Sequence, residues 1–482
     1  MHQETLALQW RRTKIIATLG PASDSPLMIN RLLEVGVNVV RLNMSHGDHD
    51  GHRLLFKRVR DAAKRQNRNI AILMDLCGPK IRVGKFKAGQ IILTDDQQVT
   101  VTCRNTLGDD NLIPSQYRNL YKDTKKGERI LLDDGNLELR VLSIKNTEVN
   151  CRVIHGGILK DHKGMNLPDS DLSTTAFTAK DKKDALLAME LGADFVALSF
   201  VRNAKDITRL TRYMTRHGKA IPVISKIERP EAVENIDEIL VESYGIMVAR
   251  GDLGIELPAE QVPMIQRDLI KRARRAYVPV IVATQMLESM ITHSRPTRAE
   301  VGDVASAAHS SADAVMLSGE TASGKYPIEA VQTMVKIVRE IERHQWHDGH
   351  YGSQVFADRR KSGFSNREAV AHAALELARD LKLQAIIVPT LSGITAQVLA
   401  AHRATASMVG VCTRELICRR LSLHWGVIPI HLVTPDQQDW RDMCHRIEAQ
   451  CDLIRPGHTV LVVSGFNDNT ALNEPVLKMM QL

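Results

Sequence analysis

The 482-residue chain reads as an α/β protein: a (β/α)8 TIM barrel, an antiparallel β-barrel lid domain inserted into it, and a doubly wound α/β domain at the C-terminal end. Three observations predict this. Short apolar runs alternate with amphipathic stretches from residue 13 onward, eight times over. The third of these units is interrupted by runs of alternating polarity. Past a glycine-bearing stretch, a second α/β rhythm begins. The expected division is barrel 1–77 and 170–345, lid 78–169, linker 346–364 and C-terminal domain 365–482.

The eight runs are TKIIATLG (13–20), VNVVRLNMSH (37–46), NIAILMDL (69–76), FVALSFV (195–201), PVISKIE (222–228), GIMVARGD (245–252), PVIVATQM (279–286) and AVMLSGET (314–321). Each is almost continuously apolar and β-branched, as strands buried on both faces must be. Helical patterns follow them at 26–35, 50–66, 178–191, 204–217, 230–242, 261–276, 297–310 and 327–343. Polar residues at every strand end favour a closed barrel over an open sheet.

After Leu76 come KIRVGKF, QIILTDDQQVTVTC, ERILLDDGNLELRVLSI and TEVNCRVIHGGIL, read as antiparallel strands. Asp134-Gly135 marks a hairpin between two of them. An insertion at that end of a barrel can close over a site as a lid. Residues 344–364 lack periodicity, and Ser365 with Glu368 then forms a capping-box signature. AIIVPT (385–390), MVGVCT (408–413), VIPIHL (427–432) and TVLVVSG (459–465) supply the strands of the last domain.

Composition excludes several classes. Hydrophobic residues are 44% and charged residues 25%, which rules out disorder, collagen and membrane proteins. No run approaches the ~18 apolar residues a membrane span needs. Aromatics are only 4%, so aliphatic residues must fill the cores. The 64 Lys and Arg against 56 Asp and Glu give a mild +8, which helps attract anions. The basic residues are dispersed apart from KRARR (271–275) and the short RRTK and DRRKS runs, so no nucleic-acid footprint is expected. Seven cysteines without a C-x-x-C pair, and no apolar core near the start, predict a reduced, cytoplasmic protein.

A closed barrel carries its active site at the C-terminal strand ends. The polar residues there are Arg41, Asn43 and Ser45; Asp75; Ser199; Lys226 and Glu228; Asp252; Thr284; and Ser318 and Glu320. Glu228 and Asp252 sit on adjacent strands and suit Mg2+, which keeps waters and takes substrate oxygens. Lys226 lies two residues before Glu228 and so faces the same side of its strand. A lysine beside a carboxylate-bound cation can neutralise a phosphoryl group in transit. The same pair also suits a buried ion pair that closes a barrel layer. Gly251 and Gly254 turn the chain tightly near Asp252, leaving free N–H groups for a carboxylate. Gly319, Gly324 and Lys325 fit the start of a P-loop, but Tyr326 replaces its hydroxyl residue. His344, His347 and His350 read as a solvated linker rather than a metal site, and Cys77 as an unactivated thiol.

RLNMSHG (41–47), DLCGPKIR (75–82), ISKIERPEAV (224–233), ARGDLG (249–254), ATQMLESMI (283–291), PTRAEVGDVA (296–305), GETASGKYP (319–327) and RRLSLHWGVIP (419–429) together resemble pyruvate kinase, of the bacterial, K+-independent type. The resemblance implies phosphoryl transfer from phosphoenolpyruvate to ADP, giving pyruvate and ATP. It implies Mg2+ or Mn2+ on Glu228 and Asp252, with Lys226 stabilising the phosphoryl group and Arg41 touching its oxygens. Thr284 would orient substrate and a proton-donating water. Ala249, Gly251 and Asp252 would receive the carboxylate, and Ser199 belongs with the substrate-binding set. Asn43, His46, Arg82 and Lys163 would meet the nucleotide, the last two on lid closure.

Three departures follow from the resemblance. Asn43, Ser45, Asp75 and Leu76 match the family's K+ position, yet Leu76 has no hydroxyl. Lys80 stands where a glutamate is common, and is expected to replace K+. Thr390, Ser392, Gly393 and Thr395 match an effector-phosphate turn, but Ile394 replaces a common arginine. The final loop, SGFNDNTALNEP (464–475), lacks the usual glycine-rich ending. A sugar phosphate or nucleotide effector, weak or no response to fructose 1,6-bisphosphate, and a homotetramer are the resulting expectations. The competing readings are a Mg2+-dependent enolpyruvate-type barrel lyase and a non-catalytic metabolite sensor.

Overall fold

The computed structural model describes residues 10–170, 172–348, 365–432, 440–451, 453–467 and 469–482. In chain order, β1 (Lys14–Thr18), β2 (Val39–Asn43) and β3 (Ala71–Asp75) open the barrel. The insertion holds β4 (Gln90–Leu93), β5 (Gln98–Thr102), β6 (Leu112–Pro114), β7 (Arg129–Leu132), β8 (Leu137–Lys145), β9 (Glu148–His155), β10 (Gly157–Lys160) and β11 (Met165–Asn166). The barrel resumes with β12 (Phe195–Leu198), β13 (Val223–Ile227), β14 (Gly245–Ala249), β15 (Val280–Ala283) and β16 (Ala314–Leu317). The last domain has β17 (Ala385–Pro389), β18 (Ser407–Cys412), β19 (Val427–His431), β20 (Thr459–Ser464) and β21 (Val476–Gln481).

All eight expected barrel strands form, and all are parallel. Their order is β1-β16-β15-β14-β13-β12-β3-β2, and the β1–β16 pairing closes the ring. Alternation along each strand splits the core in two. Ile15 and Ala17 pack outward against the helices, whereas Ile16 joins Leu73, Phe195, Ile224, Met247 and Ile281 inside. Leu423, from the last domain, belongs to this interior cluster as well. It enters through the mouth where the strands begin.

That docking is polar around an apolar plug. His424 Nε2 meets the Tyr244 hydroxyl at 2.8 Å, and Lys14 Nζ donates to the Val427 carbonyl at 2.6 Å. Asp313 accepts from both terminal nitrogens of Arg403 and from the Trp425 N–H. Asp194 accepts from Arg60 and Arg419.

In the insertion, six strands ordered β11-β7-β8-β9-β5-β6 and a β10–β4 pair wrap one core that includes Val101, Ile130, Leu139 and Val153. The expected hairpin spans Asp133 to Asn136, with Asp133, Asp134 and Gly135 all at positive φ. Two expectations fail. KIRVGKF is not a strand: it makes only single bridges, Arg82 to Gly164, Val83 to Ser115 and Phe86 to Gly108. The pairing is also not wholly antiparallel, because β5 and β6 run parallel. A break follows β9, where a side chain on Gly156 would strike the Leu93 carbonyl at 2.3 Å.

The last sheet is ordered β19-β18-β17-β20-β21, with helices on both faces. The capping box is present: Ser365 Oγ accepts the Glu368 N–H, and Glu368 accepts the Ser365 N–H. Strand β21 was not expected. It is an antiparallel edge on which only Met480 is buried, so it shows no clear alternation. The helix Pro327–His347 runs past its expected end at 343 and includes His344 and His347. His350 and most of the expected linker lie outside the described residues.

Candidate active site

The strand-end residues converge. Lys226 Nζ lies 2.8 Å from Glu228 Oε1, 2.8 Å from Ser199 Oγ and 3.6 Å from Asp75 Oδ1. Arg41 Nε donates to the other Asp75 oxygen at 2.7 Å, and its Nη1 reaches Thr18 Oγ1 at 3.0 Å. Ser199 donates onward to the Leu76 carbonyl, and the Phe200 N–H caps Glu228 Oε2 at 2.7 Å. Five strand ends thus contribute to one network. Phe200 adopts φ 56°, a strained conformation for an aromatic residue, and this turns its N–H toward the carboxylate.

Burial opposes the Lys226 charge, but Asp75 and Glu228 outweigh it and raise its pKa. The result is a fixed ammonium. Glu228 is pushed up by burial, held back by Lys226 and pushed further by Asp252. Glu228 and Asp252 line one cavity with Lys226, Arg41 and Thr284. Two oxygen ligands that repel each other in a partly dry cleft fit a hard divalent cation, whose charge relieves the repulsion.

The β14 turn differs from expectation in one respect. The Gly251 N–H is not free: it donates to Thr284 Oγ1 at 2.7 Å. Thr284 has φ 67°, which swings its hydroxyl over the start of the helix Arg250–Glu256. The Thr284 hydroxyl and this turn are therefore joined at the same end of the barrel. Arg250 was overlooked in the sequence. Buried, it donates to the Thr284 carbonyl at 2.8 Å and pairs with Asp303, so it braces both loops. Glu320 is also a brace: it accepts the Leu287 and Ser318 N–H groups and does not line the cavity.

Asn43, Ser45, His46, Leu76, Cys77 and Lys80 line the same cavity on its other side. Asn43 sits opposite Asp75 in the β2–β3 register, and its side chain accepts the Ser45 N–H. Lys80 is exposed at the rim. His46 has its pKa lowered by burial and then by Lys80, Arg82 and Arg41. Arg82 donates to the His162 carbonyl, and Lys163 pairs with Asp133 at 2.7 Å, which raises its pKa. Neither lines the cavity here. Both sit on the inserted domain, beside each other through the Arg82–Gly164 bridge.

In the last domain Thr390 Oγ1 accepts the Gly393 N–H at 2.9 Å, ahead of the helix Ile394–His402. Ser392 is exposed at the tip, while Thr395 is buried. Among the described residues no group of three or more His, Cys, Asp or Glu is arranged to hold a metal ion.

Comparison with known proteins bears on this geometry. The family model described as pyruvate kinase, barrel domain, matches residues 10–331, and that for the pyruvate kinase alpha/beta domain matches 368–477. The chain is 42% identical to a pyruvate kinase of Corynebacterium glutamicum over 94% of each chain. It is 41% identical to one of Geobacillus stearothermophilus, covering 94% of this chain and 78% of that protein. A crystal structure of a pyruvate kinase from Cryptosporidium parvum superposes with a TM-score of 0.89 at 33% identity, covering 98% of this chain and 97% of the other.

Proposed function

Because the chain belongs to the pyruvate kinase family, phosphotransferases that make pyruvate and ATP from phosphoenolpyruvate and ADP, we propose that Lys226 is the residue on which the transfer turns. The observation that carries this is one ammonium held by Ser199, Glu228 and Asp75 inside the strand-end cavity. A charge fixed in advance stabilises the moving phosphoryl group without reorganising during the step. Arg41, held by Asp75 and Thr18, offers a second cation to the same oxygens. Mg2+ or Mn2+, held by Glu228 and Asp252, supplies further positive charge when bound.

Thr284, braced by Arg250, orients the carboxylate with Ala249, Gly251 and Asp252, and positions the water that protonates the enolate. Asn43 and His46 form the nucleotide side. Arg82 and Lys163 reach the nucleotide when the lid closes, and closure excludes water. Lys80 takes the place of K+ beside Asn43, Ser45, Asp75 and Leu76, since Leu76 is buried and offers no oxygen from its side chain. Residues 1–77 with 170–345, 78–169 and 365–482 act as barrel, lid and effector domain. Thr390, Ser392, Gly393 and Thr395 form the effector turn, for a sugar phosphate or nucleotide. The working form is a cytoplasmic homotetramer.

The test is pyruvate formation from phosphoenolpyruvate, ADP and Mg2+, coupled to a reductase, beside a Lys226→Met control. Activity in the wild type that disappears in the control is expected. Equal turnover in Na+, K+ and tetramethylammonium buffers supports the Lys80 assignment, whereas large, saturable stimulation by K+ overturns it. Micromolar binding of fructose 1,6-bisphosphate by calorimetry would overturn the effector expectation.

A further inference from the structure

A second cavity adjoins the first and shares Lys80, Phe200 and Asp252 with it. On its far side lid and barrel touch through three side chains. Asn166, on the last lid strand β11, donates from Nδ2 to Glu256 Oε1 at 3.1 Å. Glu256 ends the short helix that carries Asp252 near its start. Glu256 is 5% exposed, its carboxylate lies 3.8 Å from Arg229, and its second oxygen has no hydrogen-bond partner among the described residues. Arg229 directly follows Glu228 and also donates to the Ser170 carbonyl in the returning hinge. The lid meets the same helix a second time: a side chain on Gly135, at the hairpin tip, would contact Ile255 at 3.7 Å.

Two segments therefore serve both tasks. The end of β13 carries Lys226 and Glu228 into the cavity and Arg229 to Glu256 and the returning hinge. The helix after β14 carries Asp252 into the cavity and Glu256 to the lid. We propose that Asn166, Glu256 and Arg229 form a clasp that sets where the lid rests over the cavity, which makes them positioning residues for the transfer. This rests on the reading of 78–169 as a lid and of Asp252 as a site residue. None of the three need touch substrate. Their work is to bring the Arg82 and Lys163 segments to the nucleotide and to hold the Asp252 helix in register with them.

The test uses donor and acceptor reversal. Asn166→Asp places a carboxylate against Glu256 and opens the clasp. Adding Glu256→Gln restores a hydrogen bond with its direction reversed, since the amide donor then sits on the helix and the carboxylate acceptor on the lid strand. In N166D, amide hydrogen exchange at 80–86 and 164–176 quickens. KM for ADP rises about ten-fold and KM for phosphoenolpyruvate stays within about two-fold, as expected for one lost charge-assisted hydrogen bond on the lid side. N166D/E256Q returns both readouts to near wild type. A purely structural pair would lower the folded fraction without separating the two KM values. Unchanged exchange and KM in N166D overturn the clasp, and so does a loss that E256Q leaves unrepaired. Asn166→Ala, expected to act in the same direction, replaces N166D should N166D not fold. A wild type without phosphoryl transfer would count against the functional reading, and the exchange readout would still judge the clasp.

Discussion

Both mouths of the barrel carry a ring of charge, and the rings are satisfied differently. Where the strands end, Lys226, Arg41, Glu228 and Asp252 line a cavity, and Asp75 lies behind them with an Oδ1 that has no hydrogen-bond partner among the described residues and sits 3.6 Å from Lys226 Nζ. Where the strands begin, the carboxylates are saturated. Asp313 takes both terminal Arg403 nitrogens and the Val280 and Trp425 N–H groups. Asp194 takes Arg60, Arg419 and the Ile72 N–H. Backbone strain does not separate the mouths, since Phe200 and Thr284 at one and Tyr277, Ser311 and Arg403 at the other all have positive φ. Spare bonding capacity does. Asp75 beside the cavity keeps an unmatched oxygen among the described residues, and the carboxylates that join domains spend theirs on the chain's own donors.

The largest test of this division is Lys226→Met. Its kcat should fall about 10³-fold, as for loss of a transition-state charge partner. Urea unfolding should still show a cooperative native state. A variant that keeps its kcat per folded molecule but loses stability would make the upper ring structural. At the lower ring, Asp313→Ala strands Arg403, a guanidinium only 1% exposed. A cost of about 3–5 kcal/mol is expected from urea midpoints, with kcat per folded molecule unchanged. A lower kcat in the folded fraction would show that the lower ring reaches the chemistry.

Leu423→Ala removes the plug. About 2–5 kcal/mol should be lost, depending on how far the barrel floor can collapse. The smallest effect belongs to Lys14, whose pKa is brought down to about 7 by burial and then by Arg11. Between pH 7 and the ordinary value of 10.5 the folded protein has shed a proton that the unfolded chain still holds. Stability therefore rises with pH through that window, by about 1 kcal/mol from pH 7 to 8, and is lost again as pH falls to 7. Denaturant midpoints across that range should show the slope, and Lys14→Met should flatten it.

The upper ring was legible and the lower one was not, for physical reasons. Strands buried on both faces announce themselves as apolar runs, and a closed barrel fixes where their C-terminal polar residues meet. Lys226, Glu228, Asp252, Arg41 and Thr284 follow from that alone. Asp194 and Asp313 precede their strands, and their partners Arg419 and Arg403 lie 225 and 90 residues away. The one local signal was the shared Ala-Asp before two runs, in GADFVAL (192–198) and SADAVML (311–317). Arg250 hid because the partners it braces, the Thr284 carbonyl and Asp303, lie 34 and 53 residues along the chain. Lys163 read as a nucleotide ligand, and its present partner Asp133 lay unmarked beside the Asp134-Gly135 turn signal. Strand β21 escaped because an edge with a single buried residue has no alternation to read.

The plug at Leu423 also orders events during synthesis. Barrel closure needs Lys14 opposite Ala314, so the first strand must wait for the sixteenth to leave the ribosome. Even then the floor lacks Leu423, and Asp194 and Asp313 lack Arg419 and Arg403 until much of the last domain has emerged. A nascent barrel is thus held open at its base, its apolar layer wet and its carboxylates only partly matched, for the time taken to translate that stretch. Contacts this distant in sequence form slowly and leave sticky intermediates. Chains released just after the barrel helices should therefore aggregate or engage chaperones, and complete chains should escape once the base is sealed.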